Sequence, residues 1–78
     1  MFYTYVLKSE KDGELYIGFS SDLKKRFAEH NKGLVKITRD RRPFKLIYYE
    51  ACINKDKALE REKKLKTGFG RSYLKRRI

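Results

Sequence analysis

The 78-residue chain sets 21 Lys and Arg against 10 Asp and Glu, a net charge of +11, and holds six Tyr and five Phe in a 40% apolar composition. That length predicts one domain, residues 1–78, with a modest core, and the single cysteine, Cys52, excludes an internal disulfide or a cysteine-based zinc site. No apolar run approaches the ~18 residues of a membrane span, and the start "MFYTYVLKSE" lacks the basic and apolar regions of a signal peptide, so a cytoplasmic protein is expected.

In chain order, "FYTYVLK" (2–8) and "LYIGF" (15–19) read as strands around an Asp12-Gly13 turn. A two-residue loop there would set Ser9 opposite Tyr16, Leu7 opposite Gly18 and Tyr5 opposite Ser20, with Tyr3, Tyr5, Tyr16 and Gly18 on one face. Ser20, Ser21 and Asp22 offer N-caps for a helix "DLKKRFAEHN" that buries Leu23 and Phe27 and ends at Gly33. Arg26 and His30 stand one turn apart on that helix; a lone helical His is more often a surface residue than a catalyst. The stretch "LVKITRDRRP" (34–43) reads as a basic loop closed by Pro43 and suited to gripping a backbone. A third strand, "FKLIYYEACI" (44–53), precedes a helix capped by Asn54 and stopping near Gly68, and "RSYLKRRI" reads as a short basic helix. Tyr3 and Tyr48 are expected to pack against neighbouring strands.

The charge is uneven. Residues 1–31 balance five basic against five acidic side chains, and residues 32–78 carry sixteen against five. Such a field attracts polyanions, of which nucleic acid is the commonest in the cytoplasm; a merely solubilising surface is the alternative. Membrane-surface binding is disfavoured, because no segment joins a basic face to a broad exposed apolar one.

The stripe Ala58, Glu62, Leu65 puts a carboxylate between two apolar residues. Either the helix is rotated to expose Glu62, or an Arg pairs with it, or it serves chemistry. Metal-assisted phosphodiester cleavage needs a ligand for a hard cation, a group to orient or deprotonate water, and a cation on the phosphate. Glu62 could supply the first, since Mg²⁺ keeps several waters and takes few protein ligands. Tyrosine is a base near neutrality only where positive charge stabilises the phenolate, and Arg26 with a metal could do that.

The ordered set "TYV" (4–6), "YIG" (16–18), Arg26, His30 and Glu62 resembles the GIY-YIG endonuclease family, particularly its small stand-alone bacterial branch related to the nuclease domain of the excinuclease C subunit. The resemblance spans nearly the whole chain. It implies an α/β (α+β) fold, a three-stranded antiparallel sheet flanked by helices, and one divalent ion, Mg²⁺ or Mn²⁺, held by Glu62. It also implies Tyr16 as general base, Tyr5 as water-positioning partner, Arg26 as phosphate clamp, and His30 as a second phosphate or proton-transfer group. Phe19 stands where the excinuclease subunit carries a Lys, so activation of tyrosine would fall to Arg26 and the metal. The expected function is a DNA endonuclease of repair or recombination, structure-selective or of low sequence specificity. Lys36, Arg39, Arg41, Arg42, Lys66 and Arg71 would hold the DNA backbone, and a recruiting protein could supply the target. The alternatives are a nucleic-acid-binding adaptor that keeps the fold without turnover and, more remotely, a ribosome-associated basic protein.

Overall fold

Thr4, Tyr5, Val6 and Leu7 are all buried, which a strand satisfies only when both of its faces are covered, because successive side chains point to opposite sides. The computed structural model describes residues 1–78 and shows how this is met. Strand β1 (Phe2–Ser9) is the middle of a three-stranded antiparallel sheet, with β2 (Leu15–Ser20) on one edge and β3 (Phe44–Cys52) on the other. Helix α1 (Leu23–Asn31) covers one face, while α2 (Lys55–Leu65) and α3 (Gly68–Lys75) cover the other. This is the expected α+β arrangement. No helix is long and apolar enough to cross a membrane.

The core is therefore split by the sheet. On the α1 side Tyr5, Leu7 and Phe44 pack with Tyr16, Leu23, Phe27 and Leu46; on the other, Val6, Leu65 and Leu74 pack with Ile17, Ile47, Tyr48 and Tyr73. An irregularity in β3 makes this possible. Val6 pairs with Tyr48 and the next residue, Leu7, with Leu46, so Ile47 is an extra residue in the ladder. Ile47 and Tyr48 thus both reach the α2 side, and Leu46 and Phe44 remain on the α1 side.

The hairpin register differs from the two-residue-loop expectation. Tyr3 pairs with Ser20, Tyr5 with Gly18 and Leu7 with Tyr16, because the loop is longer. The Ser9 amide donates to the Glu14 carbonyl (3.0 Å) and the Gly13 amide to the Ser9 carbonyl (2.9 Å), with Gly13 at φ +73°. The displacement is two residues, and an even shift keeps every side chain on its face. Tyr5, Tyr16 and Gly18 still share the α1 side.

The caps lie where the sequence suggests. Asp22 Oδ1 accepts the Lys25 amide (3.1 Å) and Asn54 Oδ1 the Lys57 amide (3.0 Å). Two boundaries move. The basic loop contains a 3-10 turn, Arg39–Arg41, and α3 begins at Gly68 rather than after it, because Thr67 caps it through the Gly70 amide.

α2 is fixed to the sheet by the Thr4 hydroxyl, which donates to the Ala58 carbonyl at 2.9 Å. α3 is fixed partly by an aromatic clamp. The Tyr73 ring meets the guanidinium carbons of Arg61 (4.4 Å) and Arg77 (3.6 Å), and Arg61 also donates to Glu50, which accepts the Tyr48 hydroxyl at 2.6 Å.

Where α3 meets the end of α2, Gly70 faces the backbone of Leu65, and a Cβ at position 70 would collide with the Leu65 Cα and carbonyl. Backbone cannot yield as a side-chain tip can. Gly70→Ala is expected to lose roughly 1–3 kcal/mol in urea unfolding, and an unchanged midpoint would refute this account of the α2–α3 junction.

Candidate active site

Tyr5 projects from the central strand across β2. It can do so only because Gly18 lies beneath the ring: a Cβ there would strike the Tyr5 Cζ and Oη. The glycine of "YIG" is thus a notch that lets a buried phenol cross the edge strand. Tyr5 is 1% exposed, and its hydroxyl lies 2.8 Å from Nε2 of His30.

His30 is fully buried at 0% exposure, contrary to the surface position that general experience of helical histidines suggests. A signal for this was present: Leu23, Phe27 and His30 fall at i, i+4 and i+7, so the His continues the apolar stripe. Its ring is met edge-on by Tyr5 (5.8 Å between centroids), Tyr16 (5.2 Å) and Phe44 (6.1 Å). Its second nitrogen, Nδ1, lies 2.8 Å from the Thr38 Oγ1. Thr38 is also fully buried, and sequence reasoning missed it. Nothing in "LVKITRDRRP" distinguishes this residue, since its partner lies on another element.

Burial pushes the imidazole down to about 4, and the nearby Arg26 cation adds to the effect, so His30 is neutral at pH 7. Burial pushes the Tyr5 hydroxyl up to about 12 against the pull of the Arg26 guanidinium, while the charges of Tyr16 and Glu62 push it higher. Tyr5 therefore rests as a phenol. His30 bonds to it, and the charges of Arg26, Tyr16 and Glu62 act on it.

Arg26 is held on α1 by an ion pair with Glu29 (3.3 Å) and keeps its side chain 38% exposed, so the guanidinium borders both the buried phenol and solvent. Tyr16 is half-buried and lines a groove of about 600 Å³ with Ile37, Leu65, Lys66, Arg71 and Leu74. Glu62, on α2, has an 18% exposed side chain and takes an ion pair from Lys66 at 3.3 Å. The rotated-helix alternative thus fails, and the partner is a Lys rather than an Arg. Phe19 stacks on Phe2, 6.1 Å apart and nearly parallel, as an apolar packing residue.

No three His, Cys, Asp or Glu side chains converge. A lone carboxylate, Glu62, fits a hard cation that completes its shell with water and substrate phosphate; it does not fit a closed protein cage. Of the predicted backbone-binding residues, Lys66 and Arg71 border the Tyr16 groove and Lys36 is exposed. The three loop arginines already have protein partners. Arg41 pairs with Asp12 (2.9 Å) and lies over Phe44, Arg39 donates to the Gly33 carbonyl, and Arg42 to the Arg39 carbonyl.

Two outcomes are expected from this geometry. The only imidazole in the chain should titrate near 4 by NMR instead of near 6.5. Because the unfolded chain binds that proton first, stability should be full above 6.5 and fall by roughly 3 kcal/mol as the pH drops toward 4; a midpoint above 6 would contradict the burial argument. Gly18→Ala should displace the Tyr5 ring, cost roughly 1–3 kcal/mol, and return the His30 midpoint toward 6.5. Retention of the low midpoint would mean that the notch is unnecessary.

The model of the GIY-YIG catalytic domain matches residues 1–76. A UPF0213 protein of Staphylococcus saprophyticus is 43% identical over 74 residues, covering 94% of this chain and 89% of its own; one of Bacillus pumilus is 47% identical over 66 residues, covering 83% and 66%. The solution NMR structure of a UPF0213 protein from Bacillus halodurans aligns with a TM-score of 0.58 at 32% identity, over 95% of this chain and 82% of that one. The split sheet, the Gly18 notch and the tyrosine it admits thus occur in a chain that belongs to the GIY-YIG catalytic-domain family.

Proposed function

We propose that this chain is a divalent-metal-dependent DNA endonuclease, structure-selective or of low sequence specificity, serving repair or recombination. The observation that supports the reading is a buried phenol, Tyr5, bonded to His30, whose ring also meets Tyr16, with the charges of Arg26 and Glu62 acting on that phenol.

In this reading Arg26 holds the scissile phosphate, its fixed planar donors matching phosphate oxygens. Tyr16, open to the groove, would take the proton of the attacking water in the phenolate form that Arg26 and a bound metal favour, and Tyr5 would fix the position of that exchange. Glu62 is the carboxylate that would hold one Mg²⁺ or Mn²⁺, whose charge would neutralise the phosphate and the departing 3′ oxygen. With Phe19 in place of a lysine, Arg26 is the protein cation that acts on the Tyr5 phenol. Lys66, Arg71 and Lys36, with the outer faces of Arg39, Arg41 and Arg42, would contact the DNA backbone. Such contacts position a duplex without reading its bases, which is why DNA shape or a recruiting protein must choose the target.

A second reading, a nucleic-acid-binding adaptor without turnover, is favoured by one observation: Lys66 already neutralises Glu62. One assay separates the two. Purified protein is incubated with flapped, branched and nicked DNA with and without Mg²⁺ or Mn²⁺, beside Glu62→Ala and Tyr16→Phe. The nuclease reading expects metal-dependent cutting that falls roughly 100-fold or more in both variants. Binding without cleavage under either metal would establish the adaptor.

A further inference from the structure

We propose that Thr38 is a positioning residue of the site: by accepting the Nδ1 hydrogen of His30, it fixes the tautomer whose Nε2 accepts the Tyr5 hydroxyl hydrogen, so that the Tyr5 oxygen turns its lone pairs outward toward Arg26. Its importance for turnover rests on the nuclease reading above; the hydrogen-bond direction does not.

A neutral imidazole has one N–H and one lone pair, and here both nitrogens meet a hydroxyl at 2.8 Å. The inner neighbour decides which is which. At the inner end, the Thr38 hydroxyl lies 3.4 Å from the Val35 carbonyl, which can only accept; its hydrogen goes there and its oxygen receives Nδ1–H. At the outer end, Nε2 is then the lone pair, and the hydrogen that meets it at 2.8 Å is that of the Tyr5 hydroxyl.

Only one direction satisfies both ends. Tyr5 donates to Nε2, Nδ1 donates to Thr38, and Thr38 donates to Val35, three bonds pointing the same way and polarising one another. His30 and Thr38 are fully buried, so no water can stand in for either of them. The consequence lies at the surface end, where an oxygen that has committed its hydrogen inward offers only acceptor sites. It can receive an Arg26 N–H and a hydrogen of the attacking water, as a water-positioning group must.

The test uses the whole chain and its single imidazole. Long-range ¹⁵N–¹H correlation of the wild type should show the Nδ1–H tautomer. Thr38→Ser should keep it, and Thr38→Val, of nearly the same shape without the hydroxyl, should shift His30 toward Nε2–H. With a cleavable DNA, Thr38→Val should lower kcat on the order of tenfold with KM unchanged, and Thr38→Ser should restore it. An Nε2–H tautomer in the wild type overturns the proposal, and that spectrum needs no variant to fold. So does a Thr38→Val that loses stability yet keeps the Nδ1–H tautomer and full kcat, the behaviour of a simple loop fastener. Absence of cleavage with the Nδ1–H tautomer intact removes the nuclease reading while supporting the assigned direction of the hydrogen bonds.

Discussion

The arrangement depends on a phenol buried in the middle of a sheet and satisfied by a buried imidazole. A hydroxyl left without a partner in that position would be strongly destabilising, so Tyr5 cannot occupy it unless His30 does too, and His30 needs Thr38 in turn. Fourteen residues are buried, and four of them, Thr4, Ser9, His30 and Thr38, are polar. Each has a hydrogen-bond partner, and no buried side-chain polar atom is left unpaired. The interior is thus part of the candidate site rather than a scaffold beneath it. The residues that would perform chemistry also hold α1 and the basic loop against the sheet.

The positive charge is organised more finely than its total suggests. Asp12 on the hairpin loop draws in Arg41, and Ser9 donates to the Arg41 carbonyl at 2.6 Å, so part of the basic segment is spent holding its own backbone. That fastening supports Thr38, which precedes the 3-10 turn. Arg71 and Lys66 border the Tyr16 groove, and Lys66 also pairs with the carboxylate of Glu62. The loop builds the inner wall of the site, and the α2–α3 junction supplies its charged rim.

Much of this was legible in the sequence, for identifiable reasons. Strands and helices followed from β-branched and aromatic runs and from the caps Asp22 and Asn54, whose chemistry is local. The faces of Tyr5, Tyr16 and Gly18 survived an error in register because strand periodicity is two. Glu62 on an apolar stripe was readable as an anomaly, and its low exposure bears that out. The burial of His30 was readable as well, from its spacing to Leu23 and Phe27, but the rarity of buried helical histidines weighed against it. What could not be read were the pairings between separate segments: Thr38 with His30, Arg41 with Asp12, and Tyr73 with Arg61. Each depends on where the sheet delivers a loop or helix, and no local pattern encodes that.

The extra residue in β3 has a bearing on the site that its distance conceals. Because Ile47 interrupts the ladder, the strand reverses its facing between its two halves, and the first half presents Phe44 to the imidazole while the second presents Tyr48 to Tyr73. An uninterrupted strand would bring Lys45 to the place of Phe44 and set an ammonium group beside a neutral ring that is sheltered from charge. A single insertion on the far strand therefore decides whether the histidine sits in an oily recess or an ionic one.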